Sequence, residues 1–156
     1  PAACVVASDG PSAAGAVNAV FSPDGTGGGS IEITQLVDPQ TAQPLASDIE
    51  LTLGVVCNAA HRLVVTSGDG GLLRAGGLPN NVLSPDAFAD LLPYSIEVDW
   101  GGTSLTGRSN AGAALSTQQP ARNGALRLRV ETEQGGGALV AGRYRDNITI
   151  RFEPAS

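Results

Sequence analysis

The sequence predicts an all-β protein, a sandwich of two antiparallel sheets, on three observations. Apolar residues recur with period two, glycine-rich turns interrupt them at short intervals, and helical signals are almost absent. The chain has 156 residues, enough for one domain that buries its own core. Only 4% of residues are aromatic against 42% hydrophobic, so Val, Leu, Ile and Ala must fill that core. No internal repeat, linker or second domain interrupts the pattern.

Cys4-Val5-Val6 reads as a first short strand, and residues 16–21 and 30–36 as two more. Residues 22–29 between them are turn material. Residues 38–46 form a longer connection than a hairpin needs and are expected to hold an additional hairpin. Ile49, Leu51, Leu53, Val55 and Cys57 then alternate with Glu50, Thr52, Gly54 and Val56. Such alternation sends apolar groups to one sheet face and mostly polar groups to the other. Residues 62–66 form a further short strand, followed by the turn Gly68-Asp69-Gly70-Gly71. Residues 84–92 carry the one helical hint: Ser84 as a cap, Pro85 at the first helical position and Pro93 as a stop. That predicts a turn or two of helix. Tyr94, Ile96, Val98 and Trp100 alternate with Ser95, Glu97 and Asp99. Leu126, Leu128 and Val130 alternate with Arg127, Arg129 and Glu131, and Ile148, Ile150 and Phe152 with Thr149, Arg151 and Glu153.

Composition narrows the function classes. The net charge is −6, with a sequence pI of about 4.5, and all nine basic residues are Arg. An acidic chain without a basic cluster is not expected to bind nucleic acid or an anionic membrane surface. No apolar run approaches the roughly 20 residues of a membrane-spanning helix, so no membrane insertion is expected. Without Lys there is no Schiff base and no P-loop.

Two cysteines, Cys4 and Cys57, each sit in an apolar strand-like segment. With no CxxC pair and no Cys/His cluster in the sequence, zinc is not expected. Two buried free thiols would suit a reducing compartment. A disulfide suits the secreted character of the composition and is the favoured expectation. Closing a loop of about 54 residues would stabilise the fold by roughly 4 kcal/mol in the chain-entropy model. This points to the periplasm or the cell surface.

Catalytic chemistry finds little support. His61 is the sole histidine and has no nucleophile elbow to serve; it is expected in a solvent-facing turn. Glu97 and Asp99 share a polar strand face, where neighbouring acids are ordinarily just solvated. The turns Ser67-Gly68-Asp69-Gly70-Gly71 and Pro23-Asp24-Gly25-Thr26-Gly27 resemble fragments of calcium loops. They lack the alternating oxygen ligands and the bidentate Glu, and Asp-Gly is ordinary turn chemistry. No catalytic residue, metal or cofactor is expected, and the chain is not read as an enzyme.

The end of the chain is the most informative. Ala141-Gly142-Arg143-Tyr144-Arg145-Asp146 precedes the final alternating strand. That motif, Cys4, Val55-Val56-Cys57-Asn58 and Pro93-Tyr94-Ser95-Ile96, in this order, resemble the spore coat protein U domain. The family includes the pilin subunits of the archaic chaperone–usher pathway, and the resemblance covers nearly the whole chain. It implies an immunoglobulin-like fold that is one strand short. The resulting groove is filled first by a periplasmic chaperone and then by the extension of a neighbouring subunit, through β-strand addition.

On that resemblance Ile148, Ile150 and Phe152, with Leu126, Leu128 and Val130, line the groove or its edge. The chain is expected to be a structural subunit of a secreted surface fibre or coat. Expressed alone, such a subunit is expected to swap strands, as in a strand-swapped homodimer, or to aggregate. Pro154 ends pairing in the last strand because it has no donor. The sequence departs from the family in carrying only Pro1, Ala2 and Ala3 before Cys4, where pilins carry a donor strand. Either a donor segment upstream of Pro1 has been lost, or one of two alternatives holds: a tip adhesin, or a self-complete secreted domain that recognises a surface or a carbohydrate. For those, Trp100 with Tyr94 offers a stacking platform, against core packing in line with Ile96 and Val98. An ordinary core strand with a satisfied neighbour is the plain alternative for residues 148–152.

Overall fold

The structure, a computed structural model, describes residues 4–6, 12–14, 19–23, 29–33, 37–111 and 114–154. Strands β1 (Cys4–Val6), β2 (Ser12–Ala14), β3 (Ala19–Pro23) and β4 (Gly29–Ile33) open the chain. The long β5 (Ser47–Cys57) is followed by β6 (His61–Ser67), β7 (Leu72–Arg74) and β8 (Leu91–Leu92). Then come β9 (Ser95–Trp100), β10 (Thr103–Arg108), β11 (Leu115–Gln119), β12 (Arg122–Thr132) and β13 (Tyr144–Pro154). No helix occurs among the described residues, and the two sheets of an immunoglobulin-like sandwich pack face to face.

The first sheet runs β1-β5-β12-β9-β10, with β2 on the same edge of β5 as β1. The second runs β11-β6-β13-β4-β3, with β7 beside β13 and β8 beside β7. Every strand pairing in both sheets is antiparallel. The register explains the alternation. Leu53 faces Leu126, Leu51 faces Leu128 and Ile49 faces Val130, while Leu128 and Val130 also face Val98 and Ile96. These residues are buried, and they meet Leu63, Val65, Leu72, Ile148 and Ile150 of the other sheet. Each fully buried Leu or Ile contributes on the order of 2 kcal/mol of transfer free energy, so a core poor in aromatics holds by number.

The outer face of the first sheet is charged and paired. Arg127 stands opposite Asp99 and Arg129 opposite Glu97. Arg129 also binds Asp48 at 2.7 Å and Glu131 at 2.8 Å. Glu97 and Asp99 thus lie on this charged outer face, where the Ser104 hydroxyl donates to the Asp99 carboxylate.

Three local expectations are corrected. Residues 84–92 form no helix: Ser84 bridges Ala87, Ala89 bridges Leu139, and Leu91–Leu92 pair with β7. The capping signals lose there to long-range pairing. Residues 38–46 hold no additional hairpin. One bridge joins Val37 to Pro44 around a tight turn, in which the Asp38 carboxylate accepts the Gln40 N–H at 2.8 Å. His61 is not in a solvent-facing turn; it opens β6 and is fully buried. The turn at 24–27, half of the calcium-like pair, lies outside the described residues, as do 1–3, 16–18 and 34–36.

Glycine is required where loops cross the sheet ends. A Cβ at Gly137, where φ is +143°, would sit 2.1 Å from the Ser84 carbonyl oxygen. A Cβ at Gly71 would meet the Leu92 carbonyl oxygen at 2.7 Å. Both glycines let backbone approach backbone.

Candidate functional site: the edge of the last strand

β13 carries Tyr144, Asp146, Ile148 and Ile150 inward and Arg145, Asn147, Thr149 and Arg151 outward. Its two halves have different neighbours. Residues 144–148 lie between β4 on one edge and β7 with the end of β6 on the other. Residues 149–154 pair with β6 alone, and no strand among the described residues covers their other edge. The described span of β4 begins at Gly29, opposite Ile148, and the glycine-containing residues 24–28 before it lie outside the described residues. An uncovered edge leaves backbone N–H and C=O groups free to template another strand.

The half-buried Phe152 marks the far end of this edge. Its ring lies 6.0 Å from His61 and 6.2 Å edge-on from Trp100. The His61 Nδ1–H donates to the Ala59 carbonyl at 3.1 Å, and Nε2 accepts the Trp100 indole N–H at 2.9 Å. The Arg122 guanidinium stacks over the indole at 5.5 Å. Beside this cluster Cys4 and Cys57 face each other across β1 and β5 and form a disulfide with a sequence separation of 53. The favoured pairing of the two cysteines is thus what the structure holds.

Leu126, Leu128 and Val130 take a different place from Ile148, Ile150 and Phe152. They lie on β12, which pairs with β5 on one side and β9 on the other. They form the floor of the opposite sheet, not an edge. Trp100 and Tyr94 are 1% and 0% exposed. A ring with no open face cannot stack on a sugar, so both belong to the core.

The Ala-Gly-x-Tyr-x-Asp stretch has a structural role that its pattern alone does not disclose. The Tyr144 hydroxyl donates to the Val140 carbonyl, and burial pushes its pKa up to about 12. Asp146 is 0% exposed and points between the sheets. Its carboxylate accepts the hydroxyls of Ser67 and Tyr94 and the backbone N–H groups of Asp69 at 2.9 Å and Asn147 at 2.8 Å. Burial raises its pKa against the pull of those four donors, and burial next to that carboxylate raises the Tyr94 phenol as well. The period-two pattern was the available signal: it puts Asp146 on the same face as Tyr144 and Ile148.

A second carboxylate braces the long loop between β7 and β8. Asp90 binds the Arg74 Nε at 2.7 Å, the Asn81 side-chain amide at 3.1 Å and the Leu78 N–H at 3.2 Å. The Arg74 bond, followed by the other two, holds its pKa below the usual carboxylate range. Leu78 and Phe88 on this loop are 63% and 60% exposed. A cleft of about 450 Å³ opens beside the loop, with Val65, Leu91 and Ile96 among its walls and Asp69 and Arg108 at its sides.

The fold and this edge define a class: a disulfide-bonded, two-sheet antiparallel sandwich whose final strand is, among the described residues, flanked on both edges along only half of its length. Compared with protein-family models and with curated proteins, the chain matches none. No helix of the described residues is long and apolar enough to cross a membrane, and the disulfide is compatible with an oxidising compartment.

Proposed function

We propose that the chain is a structural subunit of a secreted bacterial surface fibre or coat, assembled by β-strand addition at residues 149–153. The observation that carries this reading is the last strand, along whose residues 149–154, with Ile150 and Phe152, β6 is the one neighbour among the described residues. An incoming strand gains backbone hydrogen bonds along that edge and alternate side-chain contacts at its apolar groups. A periplasmic chaperone takes the edge first, and a neighbouring subunit replaces it. Secretion follows from the same reading. The resemblance of Cys4, the Cys57 segment, the Tyr94 strand and the Tyr144–Asp146 motif to the spore coat protein U domain supports it.

A second reading is favoured by β4. Because β4 already pairs with residues 144–148, the domain is partly complemented by its own chain. That suits a self-complete binding module, such as a tip adhesin.

One experiment separates the two. The chain is extended beyond Ser156 by a glycine turn and an alternating apolar strand, and compared with the unextended chain. For a fibre subunit the unextended chain self-associates on gel filtration, and the extended one is monomeric and melts at least about 10 °C higher, the shift expected from a few kcal/mol in a domain of this size. A monomeric unextended chain with an unchanged melting temperature overturns the fibre reading and leaves the binding module.

A further inference from the structure

We propose that, when the Cys4–Cys57 disulfide is reduced, the two thiolates and His61 form a three-ligand site for Zn(II). The two sulfurs and one His61 ring nitrogen lie within 4.8 Å of one another. With Zn–S bonds of about 2.3 Å and Zn–N bonds of about 2.0 Å, the ligand atoms of a tetrahedral site stand roughly 3.5–4 Å apart. The required movement is therefore small. Cys4 can make it, because β1 is three residues long and, among the described residues, pairs with β5 alone. Cys57 and His61 stay anchored by β5 and β6.

His61 is prepared for the role. Its Nδ1–H is held by the Ala59 carbonyl, the backbone contact that commonly orients a metal-bound histidine. That leaves the lone pair on Nε2, which at present accepts the Trp100 N–H. Two thiolates against a dipositive ion make the buried site neutral, with an open position for water.

The chemistry balances. A dithiol reductant supplies two electrons and two protons, breaks the S–S bond and leaves as its own disulfide. Zinc then binds both sulfurs as thiolates, two protons are released, and Nε2 exchanges the Trp100 N–H for the metal. In reverse, a disulfide oxidant takes two electrons from the thiolates, the S–S bond reforms and the ion is expelled. The site is present only in the reduced chain, so the same two cysteines serve as metal ligands before oxidation and as a covalent clamp after it. This does not depend on the fibre reading.

The test uses the whole chain, reduced with a water-soluble phosphine that is then removed anaerobically, and titrated with Co(II) and then Zn(II). Expected is one ion per chain, the intense visible bands of tetrahedral cobalt thiolate, their loss on adding Zn(II), and a change in the emission of the sole tryptophan, Trp100. The oxidised chain gives none of these. His61→Gln, whose amide can still accept the Trp100 N–H, should weaken binding at least ~10-fold. Trp100→Phe removes the competing donor and should tighten it. Equal affinity in wild type and His61→Gln overturns the proposal, as does octahedral cobalt only. A reduced chain that has lost its native β circular dichroism overturns it too.

Discussion

Asp146 shows how much one inward carboxylate can organise. It ties the final strand to the turn after β6, through Ser67 and Asp69, and to the entry of β9, through Tyr94. Asp146→Ala would take the acceptor from four donors, the Tyr94 hydroxyl buried and the other three part-buried, and should cost about 3 kcal/mol in urea unfolding. Asp146→Asn should cost about 1 kcal/mol, because the Ser67 and Tyr94 hydroxyls can rotate to accept from the new amide. The pH dependence has a sign. The folded pKa of Asp146 is raised, so the folded chain binds more protons than the unfolded one between the ordinary and the raised value. Its contribution is largest below the ordinary carboxylate range and is lost as pH rises through the folded value. Asp90 has the opposite sign: its pKa is lowered, and its contribution is present above the ordinary range and lost as pH falls through the folded value. Urea midpoints measured between pH 7 and pH 4 should therefore rise for wild type relative to Asp146→Asn. Parallel curves would contradict this. The motif around Tyr144 and Asp146 was visible in the sequence. The partners of Asp146 were not, since Ser67 and Tyr94 lie 79 and 52 positions away.

At the scale of elements, strands with strict alternation were legible and short ones were not. β5, β9, β12 and β13 each bury every second residue, as the period-two pattern requires. Leu128, fully buried and paired on both sides, should cost about 3 kcal/mol on truncation to Ala, whereas Val56→Ala on the outer face should stay within about 0.5 kcal/mol. Chemical denaturation of the two variants checks the contrast, and equal costs would contradict the assigned faces. β7 and β8 are too short to show a period. The residues before β8 also carry genuine helix-start signals at Ser84 and Pro85. Tertiary partners decide there: the Asp90 backbone and carboxylate bind Arg74, and Leu91 and Leu92 pair with β7. The buried place of His61 is hidden in the sequence for a related reason. A lone histidine after a turn looks solvated until a Trp from another strand supplies its partner.

At the scale of the whole molecule, the two-sheet architecture followed from period and turns, but the strand order did not. Which strand lies beside β13 depends on contacts across more than a hundred residues, and periodicity carries no information about them. Among the described residues β13 is thus divided into a half flanked on both edges and a half paired with β6 alone, and the fibre reading turns on that division. The disulfide clamps the short β1 to β5 at the rim of the opposite sheet, close to Phe152, so the covalent and the open features of the molecule meet at one end.

Hydrogen–deuterium exchange on the isolated oxidised chain tests the half-open edge most directly. Amides of residues 149–153 that point away from β6 should exchange at least ~100-fold faster than those of residues 144–148, which are flanked on both sides. Uniform slow exchange along the whole of β13 would mean that the edge is closed within the molecule, and strand addition there would have to be given up.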